Sequence, residues 1–411
     1  MRTPKGAAEV IAALLARAGL DLPVRLRAWD GSEAGPLEHL DAPVLVARSP
    51  RVLQRILWRP GELGLARAYV SGDLDVEGDL TEGLRRVHAA APRPGPFGLS
   101  SLVKTGPAAV VAAARLGLLA PPPEPPRCEL RVRGRRHSRA RDRAVIAGHY
   151  DVPSAFYQLI LDPSMAYSCA YWGPQTPDLA AAQRAKLELI GRKLALEPGQ
   201  SLLDMGCGWG SLTIHAARAR VRVTGVTLSR EQGAYVRRRA RGLGLNLEVA
   251  IQDYRDPLDG PYDAIASVEM GEHVGAARYP AFCAALYRTL RPGGRLLIQQ
   301  MSRTTRRGGG PFIESYIAPD MDMRPVGETI RLIQDAGFEV IGVEAMREHY
   351  ARTIRAWLEN FEASLPAITT ILTAEQVRVW RLYLAGGALA FEQGRMGVDQ
   401  ILAVRPERPR R

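Results

Sequence analysis

The run Met205-Gly206-Cys207-Gly208-Trp209-Gly210-Ser211 is the stretch of this sequence best suited to binding a ligand. It follows an apolar, strand-like segment ending at Asp204 and opens into a helical pattern. A glycine-rich turn between strand and helix lets a ligand approach the backbone at a helix N-terminus. A GxGxG string alone serves equally as a tight structural turn, so the flanking strands decide. A dinucleotide site calls for a carboxylate ending the second strand, where it holds a ribose. That place reads Gly225-Val226-Thr227-Leu228-Ser229, with no acid. An acid does end the third strand, at Asp253 in Gln252-Asp253-Tyr254. Asp204, the polar groups after strand two and Asp253 suit a ligand with an amino acid tail, a ribose and an adenine. That ligand is S-adenosylmethionine.

The elements around this loop alternate. Strand patterns at 201–205, 221–228, 247–252, 262–268, 295–301, 338–343 and 400–404 are mostly separated by helical segments. Such alternation predicts an α/β fold with a largely parallel sheet covered on both faces. Residues 1–90 read as a smaller N-terminal α/β domain, with a helix near Val10 to Ala18, strand patterns at 24–29 and 44–46, and a helix-like stretch at 51–70. This domain carries no catalytic constellation, and packing or lipid contact is its default role. Nine prolines between 91 and 126 predict a stiff linker, with a short helix at 107–120, and an arginine-rich run carries that linker to 143. The catalytic domain is expected over 144–411.

The 411 residues suit two or three domains, and 46% hydrophobic with 24% charged residues excludes wholesale disorder. Four cysteines (Cys128, Cys169, Cys207 and Cys283) form no CxxC pair, and the seven histidines show no ligand spacing, so no metal site is expected. No export signal or membrane span is legible; the longest greasy stretch, 108–120, includes Arg115 and is too short. A cytoplasmic protein, peripheral on the inner face of the membrane, is expected. The net charge of +12 is concentrated: residues 127–143 hold eight arginines against Glu129 and Asp142, and the C-terminal RPERPRR adds four more. A solvated basic linker, nucleic acid or an anionic lipid surface would each explain this, and charge alone does not choose.

From Gly148 to about Arg405 the chain resembles the cyclopropane-fatty-acyl-phospholipid synthase family. The matching pieces include His149-Tyr150-Asp151, Met165-Ala166-Tyr167-Ser168-Cys169-Ala170-Tyr171-Trp172, the glycine loop, Gln252-Asp253-Tyr254-Arg255-Asp256, Glu272-His273-Val274-Gly275 and His349-Tyr350-Ala351-Arg352-Thr353. The resemblance implies a class I methyltransferase, Rossmann-like, with a mostly parallel seven-stranded sheet, acting on double bonds in phospholipid acyl chains. It implies that S-adenosylmethionine is held by Tyr167, Ser168, Asp204, Gly206, Gly208, Gly210, Thr227, Leu228, Gln232, Gln252 and Asp253. It also implies a bound bicarbonate beside the acyl chain. Catalytic residues Cys169, Glu272, Gln299 and Tyr350, with backbone near Val268 and Met301, would hold that ion.

Methyl transfer to an isolated alkene makes a carbocation, so the site must exclude water and stabilise positive charge without a competing nucleophile. Aromatic faces do this at roughly 0.5–2 kcal/mol per ring, and Tyr171, Trp172, Phe312 and Tyr316 are the expected lining, with ordinary core packing as the alternative for each. Cys169 reads as an anion holder rather than a nucleophile, since no basic partner adjoins it. Three departures stand out: Gln299 where ring-forming members carry histidine, Glu269-Met270-Gly271 in place of small and aromatic residues, and Pro153-Ser154 where an asparagine is usual. Glutamine can orient an anion but cannot carry a proton near neutral pH. The Gln form resembles relatives that make a methylene branch on the way to tuberculostearic acid, where a separate flavoprotein reductase saturates it. A cyclopropane product is the alternative on the same oleoyl-type phospholipids. A nucleic-acid methyltransferase is a remote rival, because the loop after strand four lacks the usual polar-Pro-Pro-aromatic signature, so no nucleic acid partner is expected. A non-enzymatic lipid-binding protein is equally remote, and a homo-oligomer stays open.

Overall fold

The computed structural model describes residues 6–17, 22–36, 42–90, 120–149, 152–304 and 308–407. The expected helix at 107–120 (but for Ala120), most of the proline-rich linker, Tyr150-Asp151 and the last four residues of the basic tail lie outside them. The chain forms two compact units, Met1–Glu129 with Pro311–Tyr316 and Leu372–Leu389, and Leu130–Gly310 with Ile317–Ile371 and Ala390–Arg411.

The first unit is built on a four-stranded sheet of β1 (Arg25–Arg27), β2 (Glu33–Ala34), β3 (Val44–Ala47) and β4 (Leu74–Glu77), in the order β2-β1-β3-β4. Its core joins Ala8 and Ile11 of the first helix to Leu26, Ala28, Ala47, Val52 and Ala68. Two segments distant in sequence complete it. Arg378 lies 4.3 Å above the Tyr69 ring and bonds Leu74 O and Asp75, while Tyr316 donates to Glu129, which also pairs with Arg67.

The second unit carries a seven-stranded sheet. Its strands are β5 (Ser201–Met205), β6 (Arg222–Thr227), β7 (Glu248–Ile251), β8 (Tyr262–Val268), β9 (Leu290–Ser302), β10 (Glu339–Ala345) and β11 (Gly397–Val404), in the order β10-β11-β9-β8-β5-β6-β7. Neighbours from β9 to β7 are parallel, and β11 runs antiparallel to both β9 and β10. Successive strand residues face opposite sides, and here they feed two cores. Leu203, Ile265, Leu296 and Ile298 enter one; Leu202, Ala264, Ala266 and Leu297 enter the other. Strand order reverses between β5 and β8, and crevices at such a switch point are where open α/β sheets bind ligands.

Candidate active site

At the end of β5 the chain turns through Gly206, Gly208 and Gly210, all at positive φ, into the helix Ser211–Arg218. A Cβ at Gly208 would meet open space, so the loop leaves room for a ligand there; at Gly210 it would strike Val236 at 2.7 Å, so that glycine serves the turn and its packing. Two cavities share this loop. One is lined by Tyr167, Ser168, Lys186, Asp204 and the loop itself. The other is lined by Thr227, Leu228, Gln232, Gln252 and Tyr254, with apolar Val145, Met205, Val226 and Met270. Gly206, Gly208, Gln232 and Glu269 border both.

Several of the expected cofactor residues have chemistry that suits S-adenosylmethionine. The Thr227 hydroxyl donates to Gln232 Oε1 at 2.8 Å, which leaves the buried Gln232 Nε2 without a partner. An amide donor of that kind suits a ribose hydroxyl. Asp204 accepts from Thr213 at 2.7 Å, and burial pushes its carboxyl up to about 6. Lys186, which the sequence reading missed, donates to Ser168 Oγ at 3.0 Å; burial lowers its pKa while Glu269, Asp162 and Asp204 oppose that shift. The signal was present: on the helix Leu179–Leu194, Gln183 and Lys186 are polar residues within the apolar stripe of Ala182, Leu187 and Ile190.

Asp253 departs from expectation. Both its oxygens accept from Arg255, at 2.6 Å each, and its side chain is fully buried away from the cavity. Burial raises its pKa, and the bonds and charge of Arg255 together with the charge of Arg139 bring it below the usual carboxylate value. Arg255 extends the pairing to Asp142 at 2.8 Å, and it is Asp142, with Gln252 and Tyr254, that borders the cavity.

The four expected catalytic residues come together, but behind one that was not named among them. Glu269 follows β8 in the left-handed region, φ 52°, where a non-glycine residue costs on the order of 1–3 kcal/mol. Its Oε1 accepts from the Cys169 backbone N–H at 2.8 Å and from Gln299 Nε2 at 2.7 Å; its Oε2 accepts from the Tyr350 hydroxyl at 2.6 Å. Glu272 Oε1 accepts from the Met301 N–H at 2.6 Å, and its Oε2 has no partner. Cys169, Glu272, Gln299 and Tyr350 border neither cavity, whereas Glu269 borders both. Bicarbonate therefore does not fit as expected: the donors meant for it are already taken, three by Glu269 and the Met301 N–H by Glu272. The cause is the carboxylate at a position where the resemblance calls for a small residue. Burial and the nearby Glu269 charge raise the Cys169 thiol well above its ordinary range, which disfavours a thiolate there.

The expected aromatic lining is also corrected. Tyr171 stacks on His349 at 4.6 Å, and the Trp172 indole N–H donates to Thr353 with Arg352 above its ring. These bonds hold both rings against the helix Arg347–Ala363, outside the two cavities. Phe312 and Tyr316 pack on each other in the first unit and line neither cavity.

A glycine turn at the switch point, an unpartnered amide beside it and a buried acid behind it define a class I S-adenosylmethionine-dependent methyltransferase. The chain belongs to the mycolic acid cyclopropane synthetase family, whose model matches residues 137–401. It is 38% identical over 399 residues to a probable fatty acid methyltransferase of Pseudomonas putida, covering 94% of this chain and 93% of that one. It is 32% identical over 427 residues to the tuberculostearic acid methyltransferase UfaA1 of Mycobacterium tuberculosis, covering 99% and 94%. Among solved structures, the mycolic acid cyclopropane synthase CmaA1 complexed with SAH and CTAB superposes with a TM-score of 0.60 at 30% identity, covering 64% of this chain and 98% of that one.

Proposed function

We propose that this methyltransferase adds a methyl group to the double bond of oleoyl-type acyl chains in membrane phospholipids and releases a 10-methylene-branched chain. When bound, S-adenosylmethionine supplies an electrophilic methyl on a sulfonium, which needs no metal. The alkene π electrons form the new carbon–carbon bond as the methyl–sulfur bond breaks with its electron pair kept by sulfur as a neutral thioether, and a cation is left on the neighbouring acyl carbon. Apolar Val145, Met205, Val226 and Met270 keep water from it. A hydride shift and loss of one proton from the added methyl give the methylene branch; loss of that proton without the shift closes a cyclopropane ring.

The observation that carries the methylene reading is Gln299. It presents an amide N–H, 2.7 Å from Glu269, at the position where ring-forming members have a titratable histidine. A group that orients without relaying leaves time for the hydride shift before the proton departs. Similarity over nearly the whole chain to a tuberculostearic acid methyltransferase supports the same product. The family description favours the ring as the second reading. A methylene product is an alkene that a separate flavoprotein reductase would saturate. Exposed Arg131, Arg133 and Arg135 suit an anionic phospholipid surface, and among the described residues no helix is long and apolar enough to cross a membrane. Mass spectrometry of derivatised lipids from a host expressing this chain alone tests the reading: methylene-branched chains support it, and cyclopropane chains alone overturn it.

A further inference from the structure

We infer that the Glu269 carboxylate takes the place of bicarbonate and is the enzyme's own base, so that this methyltransferase works without an added anion. The inference rests on the proposed alkene methylation and adds to it the identity of the proton acceptor. Carboxylate and bicarbonate share a planar O–C–O group, and the donors expected around the ion, the Cys169 N–H, Gln299 and Tyr350, instead surround Glu269 at 2.6–2.8 Å. An ionised carboxylate offers about four lone-pair sites; three are filled, and one is left to accept a proton.

Placement supports the same role. Glu269 stands where the cofactor cavity meets the apolar cavity, which is where a transferred methyl group would sit. Its left-handed backbone is held by those three bonds and by its own N–H on Gln299 O at 2.7 Å. The charge distribution agrees. Glu272 is pushed up to about 8 by burial and by the Glu269 charge, so near neutral pH its carboxyl favours the protonated form. Burial raises Glu269 as well, on balance, with Tyr350, the Cys169 N–H, Gln299 and Lys186 opposing that rise by favouring its ionised form. Of the two acids, Glu269 is the one with three donors placed to hold its charged form.

The step balances. A C–H bond of the added methyl breaks, and its proton goes to a Glu269 oxygen. The electron pair left behind becomes the exocyclic π bond, or the third ring bond in the cyclopropane case, and the acyl cation is neutralised. The proton on Glu269 passes to water once product leaves.

Two measurements on the purified full chain test this. In saturation-transfer NMR with 13C-bicarbonate, wild type is expected to give no binding signal and Glu269→Gly to give one, because removing the side chain frees its three donors. In carbon-dioxide-free buffer, transfer of radiolabelled methyl to oleoyl phospholipid by wild type should be unaffected by added bicarbonate. Glu269→Gly should lose about 100-fold, the lower end for a missing general base, and regain at least about tenfold with bicarbonate. Glu269→Gln, which keeps the shape and fills the slot, should lose activity, bind no bicarbonate and show no rescue. Bicarbonate binding or bicarbonate dependence in the wild type would overturn the inference. So would a glycine variant that binds the ion yet is not rescued, or a glutamine variant with full activity. If wild type methylates no lipid, the proposed function fails, and the NMR comparison still decides whether Glu269 fills the anion's place.

Discussion

Gln400 donates its amide N–H to Gln299 Oε1 at 2.9 Å, directly across the β9–β11 ladder, where the two residues are register partners. The sense of this bond is set further back. Lys193 has only donors to offer and gives one to Gln400 Oε1 at 2.7 Å, so the Gln400 amide must face Gln299 with its nitrogen. Gln299 in turn must face Glu269 with its own nitrogen. A surface-side ammonium thus orients two buried amides so that a donor reaches the Glu269 carboxylate. Gln400→Leu removes the middle link. It should lower kcat about tenfold, equivalent to one hydrogen bond of about 1.4 kcal/mol, and leave the KM for S-adenosylmethionine unchanged. A rise in that KM with kcat intact would show that the relay serves cofactor binding instead.

Glu272 predicts a pH signature in stability. Its folded pKa of about 8 exceeds the unfolded value of about 4.3, so the native state binds this proton more tightly. The associated stabilisation is complete below about pH 4.3 and is lost as pH rises toward 8. Glu272→Gln keeps an acceptor for the Met301 N–H and cannot ionise. In thermal melts across that window, the Tm of wild type relative to the variant should fall steadily as pH rises. A difference constant with pH would show that Glu272 does not exchange its proton there.

Among the proposed cofactor residues, Gln232 has the most specific role. Gln232→Ala removes the unpartnered donor and takes away the acceptor of the Thr227 hydroxyl, which keeps only the bond it accepts from the Ser229 N–H. Calorimetry with S-adenosylhomocysteine should show affinity reduced about tenfold, the size of one hydrogen bond in a buried site. Unchanged affinity in a folded variant would take Gln232 out of the site.

The sheet was legible because strand alternation and apolar runs are local. The segment expected at 201–205 is β5, and 262–268 is β8. The glycine loop was legible for the same reason. The role of Glu269 was not: its donors come from positions 169, 299 and 350, far apart in sequence, and the β8–β9 ladder and the helix Arg347–Ala363 bring the last two to it. Residue type showed a departure at 269 without showing what it replaced. Tyr171 and Trp172 misled because aromatic residues next to a motif can turn to either side of the backbone, and here His349 and Thr353 settle the side. The membership of Pro311–Tyr316 and Leu372–Leu389 in the first unit depends on contacts such as Arg378 with Tyr69, which no local pattern announces.

The exposed basic run carries a prediction about docking. Arg139 and Arg141 are engaged with Asp256 and Asp320, and Arg136 also reaches Asp320 at 3.2 Å while staying largely exposed; with exposed Arg131, Arg133 and Arg135 it offers positive charge to a surface. Attraction of this kind is screened over about 8 Å at physiological salt. Binding to anionic vesicles should weaken steeply with salt, and replacing these four arginines with glutamine should reproduce the high-salt result at low salt. Equal binding to neutral and anionic vesicles would contradict a charge-driven contact.

The central claim is that a methyl group is added to an acyl double bond and then loses one proton to the active-site base. S-adenosylmethionine carrying a fully deuterated methyl, incubated with the purified chain and dioleoyl phospholipid vesicles, tests it most directly. The account predicts an acyl chain carrying one added carbon as a branch that keeps two of the three deuterons, both on an exocyclic methylene that ozonolysis converts to a ketone. A chain keeping all three deuterons would contradict it, because the proton would then have left from another carbon; label found on a head group, or on no lipid at all, would contradict methylation of the double bond itself.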